Sequence, residues 1–178
     1  MDSGAALDEI ARRLTRQPPP LLIGVDGLGA AGKSTFADRL SQRLDAQVVH
    51  VDEFNQPGVH PWEVHRFLAE VWRPYVHGRP ARYRRWHWTQ AEPGEWAEVA
   101  PGRALILEGV RSTDLAVTAD FALRVWLEVP EQVRRERARL RDPDRHACWT
   151  TNWMPIEQAW FLDQRPDLQA DIIVDHTQ

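Results

Sequence analysis

The sequence predicts an α/β fold, a three-layer αβα sandwich built on a five-stranded parallel sheet. The first observation is that short, continuous apolar runs alternate with helical patterns along the 178 residues, as expected when strands are buried on both faces and joined by helices. The second is a glycine-rich segment, residues 27–35, which lies between the first apolar run and an amphipathic helix. Together they predict the P-loop NTPase type of sandwich.

The first four elements follow from local patterns. Residues 5–16 are amphipathic and predict a helix, which three consecutive prolines end. The apolar run 21–26 predicts the first strand, and residues 35–44 carry the apolar spacing of a helix. The apolar run 47–51 predicts the second strand.

The middle of the chain is less regular. Residues 61–73 have a helical pattern that begins at one proline and ends before another. Residues 78–101 are rich in Arg, Trp, Pro and Gly and predict irregular structure, in which 81–88 is the candidate for an extended segment. The apolar runs 104–110 and 121–129 predict the third and fourth strands.

The last third of the chain completes the sandwich. A proline precedes the charged helix predicted over residues 131–140. A polar segment, 141–153, separates this helix from another near 156–162, and the apolar run 171–174 predicts the closing strand. The whole chain, residues 1–178, therefore reads as one domain.

The glycine-rich segment matches the phosphate-binding pattern G-x-x-x-x-G-K-S. Glycines let backbone N–H groups surround phosphate oxygens, a lysine reaches the β- and γ-phosphates, and the next hydroxyl serves Mg²⁺. Lys33 is the only lysine among 22 basic residues, so lysine stands where nucleotide chemistry requires a slim ammonium. The residues predicted to bind nucleotide here are Gly27, Gly29, Ala30, Ala31, Gly32, Lys33, Ser34 and Thr35.

Two carboxylates follow predicted strands, at the sheet edge where ligands of such folds gather. Glu108 ends the third strand and Asp52 ends the second. With Ser34 they are candidate Mg²⁺ ligands, and Asp52 is also placed to accept a proton from an attacking hydroxyl. The alternatives are an ordinary carboxylate at a strand end for Glu108, and a turn or cap residue for Asp52.

The helix after the fourth strand is rich in arginine. Helical spacing places Arg134, Arg137 and Arg141 on one face. Guanidinium groups that close over a phosphate site stabilise the charge of phosphoryl transfer. The alternative is a solvated charged helix in which Glu131 and Glu136 are the ionic partners.

A second cationic segment, residues 82–88, alternates arginines with aromatic rings. Such a run can stack on a flat substrate. It can equally pack a subdomain against the core, and the sequence leaves both alternatives open.

Composition excludes several functions. A net charge of −4 argues against a nucleic-acid partner. A single cysteine and the lack of a long apolar run favour a cytoplasmic protein without a membrane partner. The lone lysine leaves none for the Asn-Lys-x-Asp motif of GTPases, and the chain lacks both the signature of ABC proteins and the acidic pair of motor-type ATPases. A small-molecule kinase is the class that remains.

From about residue 21 to 177 the chain resembles the uridine kinase-like branch of P-loop kinases, which includes phosphoribulokinase, in a Trp-rich bacterial form. The motifs that carry the resemblance are Gly24-Val25-Asp26-Gly27 with the loop, Val51-Asp52-Glu53-Phe54, Leu107-Glu108-Gly109-Val110, Arg141-Asp142 and Ala170-Asp171-Ile172-Ile173-Val174. The resemblance implies that Asp52 is the catalytic base and that Glu108 serves magnesium. Asn55 replaces a family tyrosine, and the spacing from Tyr83 to His87 is one residue shorter than in the family.

The expected activity is transfer of the γ-phosphate of ATP, with Mg²⁺, to a hydroxyl of a small molecule. The leading candidate for this acceptor is a uridine- or cytidine-like nucleoside. The alternatives are another acceptor, such as an antibiotic, a vitamin precursor or a sugar, and a regulatory protein that binds nucleotide without catalysis. The lid is expected at about 134–153 and a substrate-binding insertion at about 54–101. Asp52, Lys33, Arg137 and Arg141 are the expected catalytic residues, Arg134 contacts the nucleotide, and the substrate-binding residues are Phe54, Asn55, Tyr83, Trp86, His87, Trp88 and Arg111.

Replacing Lys33 by arginine tests the phosphate loop. A planar guanidinium does not fit where a slim ammonium reaches the phosphates, so Lys33→Arg should reduce phosphoryl transfer at least 100-fold, that is by roughly 3 kcal/mol or more in transition-state stabilisation. Arg43→Lys, on the helix that follows, is the matched control. Turnover is measured by ADP release, and activity retained by Lys33→Arg contradicts the assignment.

Overall fold

A computed structural model describes residues 1–55, 62–87, 90–117 and 119–177 of the chain. Its helices are α1 (Ser3–Leu14), α2 (Lys33–Leu44), α3 (Val64–Arg66), α4 (Arg73–Val76), α5 (Glu131–Arg141), α6 (Pro143–Cys148), α7 (Met154–Gln164) and α8 (Pro166–Gln169). Its strands are β1 (Leu21–Asp26), β2 (Gln47–His50), β3 (Ala81–His87), β4 (Glu92–Val99), β5 (Ala104–Glu108), β6 (Phe121–Glu128) and β7 (Ile172–Asp175). A 3₁₀ turn, Val51–Phe54, follows β2.

The main sheet has the order β2-β5-β1-β6-β7, and its pairings are all parallel. The predicted five-stranded parallel sheet is therefore confirmed. The register sets Val25 and His50 on either side of Glu108. Parallel strands end at the same edge of the sheet, so this pairing brings three strand ends together beside the glycine-rich loop.

Helices cover both faces of the sheet. On one face, α1 and α2 bury Ile10 and Phe36 against β1, β5 and β6. On the other face, the helical run from α3 to α4 and the β3–β4 hairpin bury Phe67 and Tyr83 against β1 and β5. Gly24 of β1 leaves room for the side chain of Thr113 on that face, because a Cβ at position 24 would lie 2.5 Å from Cγ2 of Thr113. The arrangement is the predicted three-layer sandwich.

The helix predicted over 61–73 continues through Pro74, and Pro61 lies outside the described residues. A π-helical segment, Phe67–Trp72, joins α3 to α4. A π turn shifts the hydrogen-bond ladder by one residue, and Pro74 then stands in the first turn of α4, where a missing N–H costs little. The expectation that Pro74 lies beyond the helix was therefore wrong.

The segment 78–101 was also expected to be irregular, and that was wrong. It contains the antiparallel hairpin β3–β4, in which Tyr83 pairs with Ala97 and His87 with Glu92. The extended segment expected at 81–88 is confirmed over Ala81–His87. The polar segment 141–153 is helical, formed by α6 and a π-helical stretch, Trp149–Trp153.

Within the described ranges, no helix combines the length and apolar character that crossing a lipid bilayer requires.

Candidate functional site

A cavity of about 760 Å³ opens at the carboxyl edge of the sheet. Its floor is the phosphate loop, which joins β1 to α2. One wall comes from the ends of β2 and β5 and the turns after them, and the opposite wall comes from residues 138–157, a segment that overlaps the lid predicted at about 134–153. A cavity of this size accepts a nucleotide tail together with a small acceptor.

The backbone of the phosphate loop adopts left-handed conformations at Ala30 (φ 61°) and Gly32 (φ 87°). Alternation of handedness turns successive N–H groups toward one side and makes an anion-binding concavity. At Gly32 a side chain is also excluded by space, because a Cβ would lie 2.7 Å from the ring of His176. Helix α2 begins at Lys33, whose Nζ donates to the carbonyl of Leu28 at 3.2 Å. The Lys33 side chain is thus hydrogen-bonded to the backbone of its own loop.

A buried carboxylate at the end of β1 holds the loop in place. Asp26 accepts hydrogen bonds from the N–H groups of Gly27 (2.7 Å), Arg111 (3.0 Å) and Thr113 (2.8 Å), and from the Thr113 hydroxyl (2.7 Å). Burial raises the pKa of Asp26 to about 6, and the hydrogen bonds from Thr113 and Gly27 and the charge of Lys33 oppose this shift. Asp26 therefore ties the phosphate loop to the turn after β5. The sequence analysis named Asp26 only as part of a motif. Its position as a carboxylate at the end of an apolar strand was the signal that could have identified it.

Glu108 connects the loop to β2. Its Oε1 accepts from the Ser34 hydroxyl at 3.3 Å, and its Oε2 lies 2.6 Å from Nδ1 of His50. The contact with Glu108 raises the pKa of His50. Glu108 is only 4% exposed, so the two partners fix the orientation of a carboxylate that faces the cavity. The sequence analysis did not single out His50, and its place at the end of β2 was the available signal.

Asp52 stands on the same wall, one residue into the 3₁₀ turn after β2. Its side chain is exposed to the cavity. The surrounding protein atoms reduce the contact of this carboxyl group with bulk solvent and so raise the pKa of Asp52. The positive charge of Lys33 opposes this rise, and the negative charge of Glu108 adds to it. The predicted base and the predicted metal residues therefore lie close enough to influence one another electrostatically.

The three arginines of the predicted helical face have different positions. Arg134 is buried and donates to the carbonyl oxygens of Gly29 and Val129, both at 3.3 Å. Arg137 donates to the carbonyls of His176 at 2.8 Å and Ala31 at 3.5 Å. Arg141 lines the cavity. Arg134 and Arg137 thus brace the outer side of the phosphate loop, and Arg141 is the one that reaches the open space.

The predicted substrate residues divide into two groups. Asn55 and Arg111 line the cavity. Phe54 and Tyr83 lie in the core, where their rings stack with centroids 4.7 Å apart and the Tyr83 hydroxyl donates to Glu53. This placement supports the packing alternative for these two rings, because stacking removes both of them from solvent.

The rest of that group lies on the hairpin. Trp86 and His87 belong to β3 and do not line the cavity, and His87 Nε2 lies 2.5 Å from Glu95. Trp88 lies outside the described residues. The predicted substrate residues Tyr83, Trp86 and His87 therefore do not line the cavity, whereas Glu53, the partner of Tyr83, does.

The residues present fit a nucleotide phosphate tail and a Mg²⁺ ion. The loop supplies backbone N–H groups and Lys33, and Ser34, Glu108 and Asp52 supply oxygen ligands. Among the described residues, no group of three or more His, Cys, Asp or Glu side chains forms a complete metal cage. Mg²⁺ commonly takes one or two protein oxygens and completes its shell with phosphate oxygens and water, so this sparse donor set suits it.

Residues 23–150 match the sequence profile of a family described as AAA domain. The matched span contains the phosphate loop, Asp52, Glu108 and the first part of the lid. No curated protein matches the chain significantly.

Several solved structures share the fold. A possible uridine kinase from Bacillus stearothermophilus has a TM-score of 0.72 and 17% identity, covering 98% of this chain and 100% of its own. A provisionally assigned fructose transport system kinase from Silicibacter sp. TM1040 has a TM-score of 0.69 and 22% identity, over 97% and 98%. Shikimate kinase from Bacteroides thetaiotaomicron has a TM-score of 0.50 and 14% identity, over 88% and 86%. The likeness confirms the predicted P-loop fold.

Asp26→Asn tests the anchor of the loop. Asparagine keeps one acceptor oxygen but replaces the other with an N–H₂ group, which faces N–H donors and cannot accept their hydrogen bonds. The free energy of unfolding should therefore fall by about 2 kcal/mol. Thr113→Val should also destabilise, because it removes one donor to Asp26, whereas Thr113→Ser keeps the hydroxyl and is the matched control. Urea denaturation at pH 7 measures all three, and an Asp26→Asn protein as stable as the parent contradicts the anchoring role.

Proposed function

This chain belongs to the AAA domain family of P-loop proteins, and we propose that it is a kinase that uses ATP and Mg²⁺ to phosphorylate a hydroxyl of a small neutral molecule. A nucleoside is the first candidate acceptor and a sugar is the second. The observation that carries the proposal is that Lys33, Ser34, Asp52 and Glu108 meet in one cavity that has room beside the loop for an acceptor. A P-loop with one acidic strand end and a separate base is typical of phosphoryl transfer.

Each residue has a role that its position supports. Lys33 and the loop N–H groups bind the phosphates of ATP, and Arg141 approaches the same space from the lid. Asp52 accepts the proton of the attacking hydroxyl, and the raised pKa of Asp52 makes it a better base than a fully solvated carboxylate. When bound, Mg²⁺ would neutralise charge on the phosphate oxygens, with Ser34 and Glu108 as the residues that hold it.

The part of the cavity wall that carries Glu53 and Arg111 favours a neutral acceptor. Two of its charged side chains are already paired within the protein: Arg111 with Asp114 at 2.8 Å and Glu53 with Arg85 at 2.8 Å. An anionic acceptor would have to break such a pair or be buried beside a carboxylate, and both are costly. Two of the similar structures are described as a possible uridine kinase and a fructose transport system kinase, and both uridine and fructose are neutral molecules, whereas the shikimate of the third carries a carboxylate.

A nucleotide-binding protein without catalysis is the second candidate function. Cys148, Trp149 and Trp153 in the lid offer surface to a partner, but this reading gives no role to Asp52. The two candidates differ in one measurement, the fate of the γ-phosphate.

Asp52→Asn separates binding from catalysis. An amide cannot accept the hydroxyl proton, so turnover should fall by about 10²- to 10⁴-fold, while the affinity for ATP changes little because the loop is intact. ADP release gives turnover, and titration calorimetry gives affinity. Glu63→Gln, on the neighbouring helical segment, is the matched control for loss of a carboxylate. Phosphoryl transfer that is unchanged in Asp52→Asn contradicts the assignment of the base.

An acceptor screen tests the class of substrate. Uridine, cytidine and fructose are compared with shikimate at equal concentration, with ADP release as the signal and mass spectrometry of the product as confirmation. We expect turnover with at least one neutral acceptor and none with the carboxylate. Faster turnover with shikimate overturns the neutral acceptor, and ATP that stays intact with every acceptor supports the second candidate.

A further inference from the structure

A carboxylate of α7, just beyond the predicted lid, lies directly on the phosphate loop. Glu157 of α7 accepts a hydrogen bond from the N–H of Gly29, with 2.7 Å between Gly29 N and Oε2. The contact is close on all sides, because a Cβ built on Gly29 would lie 2.9 Å from both carboxylate oxygens and 2.8 Å from Trp149 Nε1. A side chain at position 29 would therefore have to displace the ends of Glu157 and Trp149 from the loop.

The group that Glu157 binds is one that phosphate would bind. Backbone N–H groups of a phosphate loop are donors for anions, and a carboxylate accepts the same charge-assisted hydrogen bonds as a phosphate oxygen. Lys33, Ser34, Gly29 and Glu157 also line the same cavity. A phosphate tail seated on the loop and a carboxylate at 2.7 Å from Gly29 N cannot share this donor without strong repulsion.

Gly29 is held from its carbonyl side as well. Arg134 donates to the Gly29 carbonyl at 3.3 Å. Burial lowers the pKa of Arg134, and the charge of Glu157 is the largest influence that opposes this shift. Glu157 and Arg134 therefore bind the two peptide groups on either side of the Gly29 Cα, which gives α7 a defined docking point on the loop.

We propose that Glu157 is a built-in substitute for nucleotide phosphate. In the nucleotide-free protein its carboxylate docks α7 and Trp149 on the loop, and the phosphates of an incoming nucleoside triphosphate displace it. Binding of nucleotide is thereby coupled to release of the lid from Gly29. The proposal rests on the proposed binding of ATP, but it does not depend on which acceptor is phosphorylated.

Glu157→Gln tests the proposal by removing the charge while keeping the shape and one oxygen acceptor. We expect ATP with Mg²⁺ to bind about tenfold more tightly, since a charge-assisted contact no longer competes with phosphate. Adenosine has no phosphate, and its affinity should not change. Asp163→Asn removes a carboxylate from the same helix at a position that does not line the cavity, and it should leave the affinity for ATP unchanged.

Titration calorimetry measures the three proteins in the absence of acceptor. Equal affinity for ATP in the parent and Glu157→Gln overturns the proposal, as does weaker binding, no binding to either form, or an equal gain for adenosine. The kinase assignment fails separately. Tighter binding of ATP by Glu157→Gln, without transfer to any acceptor, supports the phosphate substitute and counts against the kinase.

The position of Trp149 provides a second readout. If phosphate displaces Glu157, ATP should increase the quenching of Trp149 by acrylamide, as judged by comparison with Trp149→Phe. The nucleotide-free Glu157→Gln protein should already show part of this increase. Quenching of Trp149 that does not respond to ATP in the parent protein shows that the lid stays docked, and this result overturns the coupling.

Discussion

The site depends on one buried carboxylate. Asp26 closes β1 and accepts four hydrogen bonds, which join the start of the phosphate loop to the turn after β5. Backbone donors that are buried must find acceptors, and here a single side chain serves donors from two segments far apart in sequence. The loop consequently keeps its anion-binding shape by contacts made beneath it, so its upper side stays available to the cavity.

Several other polar and charged groups of the site are paired before any ligand binds. Glu108 lies between Ser34 and His50, and Arg111 is paired with Asp114. Such pairing lowers the cost of keeping charged groups partly buried at the cavity wall. Strand β5 ends in one carboxylate, Glu108, followed by glycine, and not in the acidic pair of motor-type ATPases.

The lid is organised around the same loop from outside the sheet. Arg134 and Arg137 of α5 bond to loop carbonyls, and Glu157 of α7 bonds to a loop N–H. The arginines act on the groups that face away from phosphate, whereas Glu157 acts on one that faces it. The two kinds of contact have opposite consequences for a nucleotide: the arginines preserve the shape of the loop, and Glu157 competes for its donor.

The sequence by itself determined the parallel sheet, the phosphate loop and the carboxylates at strand ends, because apolar periodicity and the G-x-x-x-x-G-K-S spacing are local properties. Tertiary structure decided the pairing of 81–87 with 92–99 into a hairpin, of which the sequence predicted only an extended segment at 81–88, and it decided the helix through Pro74. It also decided the burial of Phe54 against Tyr83 and the contact of Glu157 with Gly29, which are 128 positions apart. No local pattern encodes such contacts, since they arise only when separate elements pack on the same sheet.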